Sequence, residues 1–146
     1  EIRVCDTPLT VERAAALAAL AQSLVRHLLR TRPALNTQRQ LYVARYNKFQ
    51  ACRYGFDGRI SDPVSLRQVP LRQIARELLA ALVEDARELG CSAWLELLQA
   101  SLAGEISDSR WLRGRQAIHK NLNDVVREAT MRFSNKGSLH LAEGQR

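Results

Sequence analysis

Aromatic side chains are scarce in this sequence: they make up 5% of the 146 residues, beside only seven glycines and four prolines. Sheet proteins are usually rich in aromatic and β-branched residues and in turn residues, so a mainly β fold is disfavoured. Leucine, alanine, arginine and glutamate dominate instead, and these residues favour helices. The apolar share of 46% is enough for a packed core, which excludes disorder over the whole length.

Cysteines are few and long apolar runs are missing. Cys5, Cys52 and Cys91 are odd in number, far apart and without a Cys-x-x-Cys pair, so neither a disulfide framework nor a zinc site is indicated. Free thiols in a reducing cytoplasm are the simplest interpretation. No apolar run approaches the roughly 20 residues of a membrane span, and no signal or transit segment is recognisable. We therefore expect a cytoplasmic protein without a membrane partner.

Negative charge is nearly absent from residues 26–59, the basic window. It holds eight basic residues and one acid, Asp57, and so carries the whole net charge of +7, while the other 112 residues hold 14 basic and 14 acidic side chains. Such a patch predicts an anionic partner; nucleic acid, nucleotide phosphates and carboxylate substrates all fit. Arginine supplies 19 of the 22 basic residues and suits bidentate contacts with phosphate or carboxylate. A genome of high GC content explains arginine over lysine equally well, but not the clustering.

The apolar periodicity predicts one strand followed by about five helices, a mainly α chain. Residues 1–5 alternate between polar and apolar and give the only good strand signal. Helices are predicted over 11–30, 38–54, 71–89, 93–103 and 108–133, with Thr10 as an N-cap and Gly55, Gly90 and Gly104 as stops. Residues 56–69 are predicted as a loop with room for short extended pieces. The tail 134–146 has no periodicity and is expected to be mobile.

A lone N-terminal strand cannot satisfy its own backbone hydrogen bonds. It needs a sheet that these residues do not supply. We therefore expect residues 1–146 to be the C-terminal helical part of a single larger catalytic domain of α+β type, whose N-terminal half is absent here. That half would be the first partner of the chain.

Two residues of the strand could carry chemistry. Glu1 and Arg3 share one face of a strand, about 6.5–7 Å apart along the chain. A carboxylate can bind Mg²⁺ while the neighbouring guanidinium holds a phosphate oxygen. The alternative is a cross-strand ion pair on a solvated sheet face, and the spacing by itself favours that alternative.

A second candidate is the predicted helix inside the basic window. Arg45, Phe49 and Arg53 recur every four residues and so share one helical face, with Lys48 beside them. A ring between two guanidinium groups could hold them toward an anion. The alternative is a solvated basic face, with the aromatic residues Tyr42, Tyr46 and Phe49 packed into the core.

A third candidate is Arg115, which falls on the apolar stripe of the last predicted helix between Trp111 and Ile118. A buried arginine needs a partner or a ligand, although its long side chain could also reach solvent. The histidines His27, His119 and His140 are isolated and match no metal or catalytic spacing, so structural or exposed roles are expected.

Several segments resemble the C-terminal part of the type 2 glutamate–cysteine ligase family, also called carboxylate–amine ligases. They are Glu-Ile-Arg-Val-Cys-Asp-Thr-Pro-Leu-Thr at the start, Tyr-Asn-Lys-Phe-Gln-Ala-Cys-Arg-Tyr-Gly-Phe-Asp-Gly from residue 46, and the downstream Pro-Leu-Arg-Gln and Glu-Leu-Gly-Cys. The resemblance covers residues 1 to about 133 in the right order. Where the pattern leads us to expect an acidic residue before the asparagine, this chain has Tyr46.

The resemblance implies a fold and a chemistry like those of glutamine synthetase, in which a sheet funnel holds ATP and divalent metals and helices pack outside. ATP phosphorylates a side-chain carboxylate of an amino-acid substrate, and an amine then attacks the acyl phosphate. Carried over to this chain, it implies Glu1 as a Mg²⁺ ligand and Arg3 as the catalytic arginine at the transferred phosphate. Arg45, Lys48 and Arg53 would bind nucleotide or substrate anions. The other metal ligands lie in the absent half, so these residues alone are expected to be inactive.

Two rival functions remain at this stage. The first is a basic helical module that binds nucleic acid through the basic window, although such a module has no use for an orphan Glu-x-Arg strand. The second is a purely structural helical domain that mediates dimerisation, and a homo-oligomer is compatible with either.

Overall fold

The computed structural model describes residues 8–33, 38–104 and 108–134. In chain order, the elements there are α1 (Val11–Thr31), α2 (Gln38–Tyr54), a 3₁₀ turn (Gly55–Asp57), β1 (Arg59–Ser61), β2 (Gln68–Pro70), α3 (Leu71–Ala81), α4 (Val83–Glu88), α5 (Ser92–Ala103), α6 (Asp108–His119) and α7 (Leu122–Ser134). The mainly helical prediction is confirmed. The predicted strand over 1–5 and the tail from residue 135 onward lie outside the described residues.

The first helix begins where the sequence predicts. The Thr10 hydroxyl accepts a hydrogen bond from the Arg13 backbone N–H at 3.2 Å, and this N-cap satisfies one of the free donors of the first turn. Glu12 adds a favourable negative charge there. The predicted helices 11–30, 38–54 and 93–103 are all confirmed within one residue at each end.

The core lies between α1, α3, α4 and α5. Leu82, Ala86 and Ala16 are fully buried, and Leu95 and Leu102 of α5 close the core from the other side. Leucine spacing predicts a buried stripe of Leu17, Leu20, Leu24 and Leu28 on α1. That prediction is partly wrong, because Leu28 is 45% exposed while the small residues Ala16, Ala19 and Ser23 are buried. Small side chains let neighbouring helices approach closely. The face of α1 that carries them is therefore the face that packs against the core.

The predicted helix over 71–89 is broken into α3 and α4 at Leu82. The Leu82 N–H lies between two acceptors, the carbonyl oxygens of Leu78 at 3.1 Å and of Leu79 at 3.3 Å, which tightens the backbone at this turn. Leucine spacing predicts that Leu78, Leu82 and Leu89 share one buried face. Leu82 is fully buried, but Leu78 and Leu89 are exposed. Because apolar residues continue through the break, periodicity alone did not indicate it.

The predicted helix over 108–133 is also wrong as a single element. Lys120 adopts a left-handed conformation with φ of 55°, and its N–H bonds the Gln116 carbonyl at 2.9 Å, so α6 ends there. Asn121 then accepts a bond from the backbone N–H of Asn123 and starts α7. The two helices contact each other. Ile118, which lies on the predicted apolar stripe, is 65% exposed rather than buried.

Residues 59–70 form a two-stranded antiparallel hairpin, within the segment predicted as a loop with room for short extended pieces. Ile60 pairs with Val69, and Asp62 closes the turn by accepting bonds from the N–H groups of Val64 and Ser65. Pro70 ends β2 and is also the residue before α3, where its missing N–H costs no intrahelical bond. No helix in the described part of the chain is long and apolar enough to cross a membrane.

Candidate functional site

The second helix, α2, rests on the hairpin with one narrow stripe of its surface. Its half-buried residues recur at helical spacing: Gln40, Val43, Asn47, Gln50 and Ala51. Among the described elements, α2 packs mainly against β1 and the 3₁₀ turn. One side of this helix is therefore covered and the opposite side is open.

Asn47 fixes this orientation. Its Nδ2 donates to the Ser61 carbonyl at 2.8 Å, and its Oδ1 accepts from the Ser61 N–H at 2.8 Å. The side-chain amide thus pairs with both backbone groups of one β1 residue, as a neighbouring strand would. Sequence reasoning missed this role, because an asparagine in the middle of a helix gives no signal for a partner 14 residues away.

Two glycines make the tight connection from α2 to β1. Gly55 ends the helix with φ of 58°, a conformation that costs glycine nothing. Gly58 is buried, and a Cβ placed there would lie 3.0 Å from the Gln50 carbonyl oxygen and 3.1 Å from that of Gly55. A side chain at Gly58 would therefore require the chain before β1 and the end of α2 to move apart by a few tenths of an ångström.

Asp57 links this unit to the rest of the molecule. It lies 3.7 Å from Arg72 of α3 and 3.3 Å from Arg110 of α6. Arg72 also sits over the Phe56 ring at 5.6 Å and donates to the Leu102 carbonyl at the end of α5. The single acid of the basic window thus has a structural role.

The face of α2 opposite Asn47 is basic and unpaired. Arg45, Lys48 and Arg53 are all exposed, and none forms an ion pair within the part of the chain that the structure describes. The 17 residues of α2 include no acid at all. These three predicted anion-binding residues are therefore free to meet a ligand.

The aromatic residues of α2 do not pack into the core as the alternative interpretation required. Tyr42 is 63% exposed, Tyr46 43% and Phe49 59%. The reason is geometric: α2 offers the hairpin only the stripe that contains Asn47, and these rings lie on the far side. We call the surface formed by Tyr42, Arg45, Tyr46, Phe49 and Arg53, with Lys48 at its edge, the outer face of α2.

The α1 part of the basic window is neutralised by a buried acid. Arg30 donates to Asp85 at 3.0 Å and 3.3 Å, and His27 Nδ1 lies 2.9 Å from the same carboxylate, which is 1% exposed. Arg26 pairs with Glu88. The hydrogen bonds from Arg30 hold the pKa of Asp85 below its usual value. Sequence reasoning missed Asp85 because its partners lie 55 and 58 residues away.

Arg115 and the described histidines have intramolecular partners. The Arg115 Nε lies 3.1 Å from Glu128, and its guanidinium is 5.5 Å from the Trp111 ring centre. His119 Nε2 lies 2.8 Å from the same carboxylate. Arg115 thus joins α6 to α7 as a structural residue, one of the two outcomes that its position predicted.

A second contact holds α6 against the start of α1. Asp108 accepts from the Leu9 N–H at 3.2 Å and pairs with Arg13. Burial, with a smaller effect from the nearby charge of Arg132, lowers the pKa of Arg13. This cluster connects elements and is distant in sequence from the outer face of α2.

Glu1 and Arg3 lie outside the described residues, so their predicted roles remain predictions. Within the described residues, no group of three or more His, Cys, Asp or Glu side chains could hold a metal ion. The free cysteines there, Cys52 and Cys91, also lack any metal-ligating neighbours of this kind.

Residues 1–128 match the model of glutamate–cysteine ligase family 2. This chain belongs to that family. Its sequence is 62% identical over 136 residues to a protein of Dechloromonas aromatica (strain RCB) that carries the provisional name glutamate–cysteine ligase 2, covering 93% of this chain and 35% of that protein. A protein of the same name from Polaromonas naphthalenivorans (strain CJ2) is 42% identical over 133 residues, covering 91% of this chain and 35% of that protein.

The chain spans about a third of the length of the curated relatives it matches. The resemblance found in the sequence is therefore confirmed at the level of the family. A match of this extent is consistent with the C-terminal part of such a protein. The many exposed apolar side chains of the described residues are consistent with a larger domain that covers them.

Proposed function

We propose that this chain is part of an ATP-dependent carboxylate–amine ligase of glutamate–cysteine type, with a glutamine-synthetase-like fold in the whole domain. The observation that carries the proposal is the outer face of α2, where three unpaired cations lie on a helix without acids. Such a face attracts a polyanion, and ATP is the polyanion that the proposed reaction uses. The remaining two-thirds of the domain is the partner that covers the exposed apolar surface.

The proposed reaction has two steps. A carboxylate oxygen of an amino-acid substrate attacks the γ-phosphorus of ATP, the bond to the β-phosphate oxygen breaks, and ADP leaves. The amine nitrogen then attacks the acyl carbon, phosphate departs with the former carboxylate oxygen, and the nitrogen loses a proton to form the amide. Arg3 would neutralise the charge that develops on the transferred phosphoryl group, and Arg45, Lys48 and Arg53 would hold the phosphate chain.

The described residues do not form a magnesium site. An octahedral Mg²⁺ centre bound to ATP needs one or two carboxylates that converge on one cavity. Glu1 is the residue of this chain proposed to contribute, and the other ligands would come from the rest of the domain. The chain's own part in ATP binding is therefore proposed to be electrostatic.

Calorimetric titration of the 146-residue chain with ATP, with and without Mg²⁺, tests the proposal. We expect weak binding that is almost independent of Mg²⁺ and no hydrolysis. The double variant Arg45→Ala/Arg53→Ala should weaken binding by roughly five-fold, since each exposed ion pair contributes about 0.2–1 kcal/mol. The matched control is Arg76→Ala/Arg113→Ala, which removes two exposed cations from α3 and α6.

The outcomes separate the parts of the proposal. Equal losses in the two double variants would show that only net charge matters and would remove α2 from the site. Tight, Mg²⁺-dependent binding by the chain alone would show that these residues build a complete site. When the remaining two-thirds of the domain is supplied, binding should become Mg²⁺-dependent, and Glu1→Gln should abolish that dependence.

A further inference from the structure

Helix α2, the 3₁₀ turn and the hairpin form one structural unit over residues 38–70, which we call the α2 unit. Inside it, Asn47 bonds Ser61 and α2 packs against β1 and the turn. Among the described elements, the turn and β2 make their main contacts with the helical core at α3, whereas the main contacts of α2 stay inside the unit. The angle between α2 and the core is therefore set at the 3₁₀ turn and β2.

The backbone supplies a pivot between the α2 unit and α3. Strand β2 ends at Pro70 and α3 begins at Leu71, so no loop separates the two elements. The Leu71 N–H donates to the Gly58 carbonyl at 2.9 Å, directly after the 3₁₀ turn. A covalent connection and a neighbouring backbone hydrogen bond fix a point but allow rotation about it. A contact away from that point is needed to fix the angle.

Arg72 makes such a contact. Its guanidinium lies over the Phe56 ring at 5.6 Å and 3.7 Å from the Asp57 carboxylate, so it meets both side chains of the 3₁₀ turn. The same group donates to the Leu102 carbonyl at the end of α5, one of the helix-end carbonyls that have no partner inside their own helix. One guanidinium, 29% exposed, thus joins the turn to α3 and α5.

A planar guanidinium suits three contacts at once. Its face stacks on a ring while its N–H groups bind acceptors in its plane. Because both kinds of contact depend on direction, they fix the turn in angle as well as in distance. Arg110 of α6 adds a pair with Asp57 at 3.3 Å, but pairs between exposed side chains contribute little. Arg72 is therefore the main side-chain clamp on the turn among the described contacts.

We infer that Arg72 is a positioning residue, which sets the angle between the α2 unit and the helical core and thereby the direction in which the cations of α2 face. The inference rests on the proposed function, in which Arg45, Lys48 and Arg53 hold the phosphate chain while the rest of the domain holds the metal. Arg72 itself does not contact the ligand. Its role matters only where the cations of α2 must meet a ligand that is also bound elsewhere.

Distances between two spin labels in the 146-residue chain measure this angle. Cys52 is exposed on α2 and takes one label, whereas Cys91 is buried and stays unlabelled. Cys5→Ser removes the third thiol, and Gln99→Cys adds a labelling site on the exposed surface of α5. With the native arginine at position 72, we expect one narrow distance distribution.

Arg72→Ala should broaden that distribution by about two-fold or more, because the α2 unit can then turn about its pivot. The matched control is Arg76→Ala, which removes an exposed arginine one turn later on the same helix and should leave the distribution unchanged. Equal distributions for the native chain and Arg72→Ala would overturn the inference and leave Arg72 with a purely structural role.

Asp57→Asn carries the test if Arg72→Ala does not fold. The Asp57 side chain is 66% exposed, so its change spares the core. The distribution should broaden less than in Arg72→Ala, because the contacts of Arg72 with Phe56 and Leu102 remain. An unchanged distribution in Asp57→Asn, with Arg72→Ala unfolded, would likewise overturn the inference.

ATP binding and kinetics separate this inference from the proposed function. In the 146-residue chain, Arg72→Ala should leave the affinity for ATP within about two-fold of the native value, because the site is distant. With the remaining two-thirds of the domain supplied, the same variant should raise KM for ATP by about ten-fold and lower kcat less, because displaced cations meet the phosphate chain poorly.

Each contrary result has its own meaning. A large loss of ATP affinity in the 146-residue Arg72→Ala chain would place Arg72 in contact with ATP and overturn the positioning role. If the whole native domain showed no ligase activity while the label distances behaved as expected, the proposed function would fail, and Arg72 would still be the residue that sets the angle of the α2 unit.

Discussion

The side-chain amide of Asn47 forms two hydrogen bonds of 2.8 Å with the backbone of one residue, Ser61, and thereby completes the free edge of β1. A two-stranded hairpin is marginal by itself, so this contact stabilises the strand and the helix together. The rings and cations of α2 are presented to the outside because Asn47 occupies the inside.

Asn47→Ala should destabilise the hairpin without unfolding the helical core. Two backbone groups of Ser61 lose their partners, which we expect to cost about 1–3 kcal/mol. Hydrogen exchange at the Ser61 amide should accelerate by at least ten-fold. Gln50→Ala is the control: it removes an amide from the same half-buried stripe that has no side-chain partner in the described structure. Equal destabilisation by Asn47→Ala and Gln50→Ala would show that the two hydrogen bonds to Ser61 add no stability beyond that of a half-buried amide side chain.

Replacement by alanine should change the free energy of unfolding in opposite directions at two glycines, Gly58 and Gly114. At Gly58 a Cβ would press on two backbone carbonyls at 3.0 and 3.1 Å, so Gly58→Ala should destabilise by about 1–2 kcal/mol. Gly114 lies within α6 and has no atom within 4 Å of its Cβ position, so Gly114→Ala should stabilise by roughly 0.5–1 kcal/mol. Urea unfolding of both variants measures the two changes, and a stabilised Gly58→Ala would refute the close approach.

Asp85 should make the stability of the protein depend on pH in the acidic range. Its pKa is lowered in the folded protein, mainly by the hydrogen bonds from Arg30, so its contribution is fully present above the usual carboxyl pKa. The contribution is lost as pH falls through the lowered value. Melting temperatures between pH 7 and pH 2 should therefore drop less steeply for Asp85→Asn than for the native chain.

At pH 7 the Asp85→Asn variant should melt roughly 5–10 °C lower, because Arg30 and His27 lose a buried anion. Glu84→Gln is the control, since Glu84 pairs with Arg87 on the exposed surface of α4 and should change the melting temperature by no more than about 2 °C. The same acid profile in Asp85→Asn and the native chain would exclude Asp85 as its source.

Arg3→Lys tests the catalytic prediction once the remaining two-thirds of the domain is supplied. Lysine keeps the positive charge but loses the planar fork that contacts a transferring phosphoryl group. We expect turnover to fall by at least about 10²-fold with folding retained, because the contact acts mainly in the transition state. Unchanged kcat and KM would remove Arg3 from the site.

The sequence predicted those features that depend on neighbouring residues. The Thr10 cap, the glycine stops at Gly55, Gly90 and Gly104, and the bounds of α2 follow from local chemistry and were all confirmed. The placement of Arg45 and Arg53 on one face of α2, with Lys48 beside them, was likewise readable, because it depends on helical spacing alone. Family membership followed from motifs along the chain.

Tertiary structure decided the breaks at Leu82 and Lys120, since in both places the apolar pattern continues while the backbone turns. It also decided which charges are free: two of the eight cations of the basic window, Arg26 and Arg30, lie 3.8 Å and 3.0 Å from a buried acid, Asp85, that is far away in sequence. Above all it decided that the rings of α2 face outward, because the bond between Asn47 and Ser61 selects the inner stripe. Periodicity shows which residues share a face, but only the partner that packs against a helix determines which face is buried.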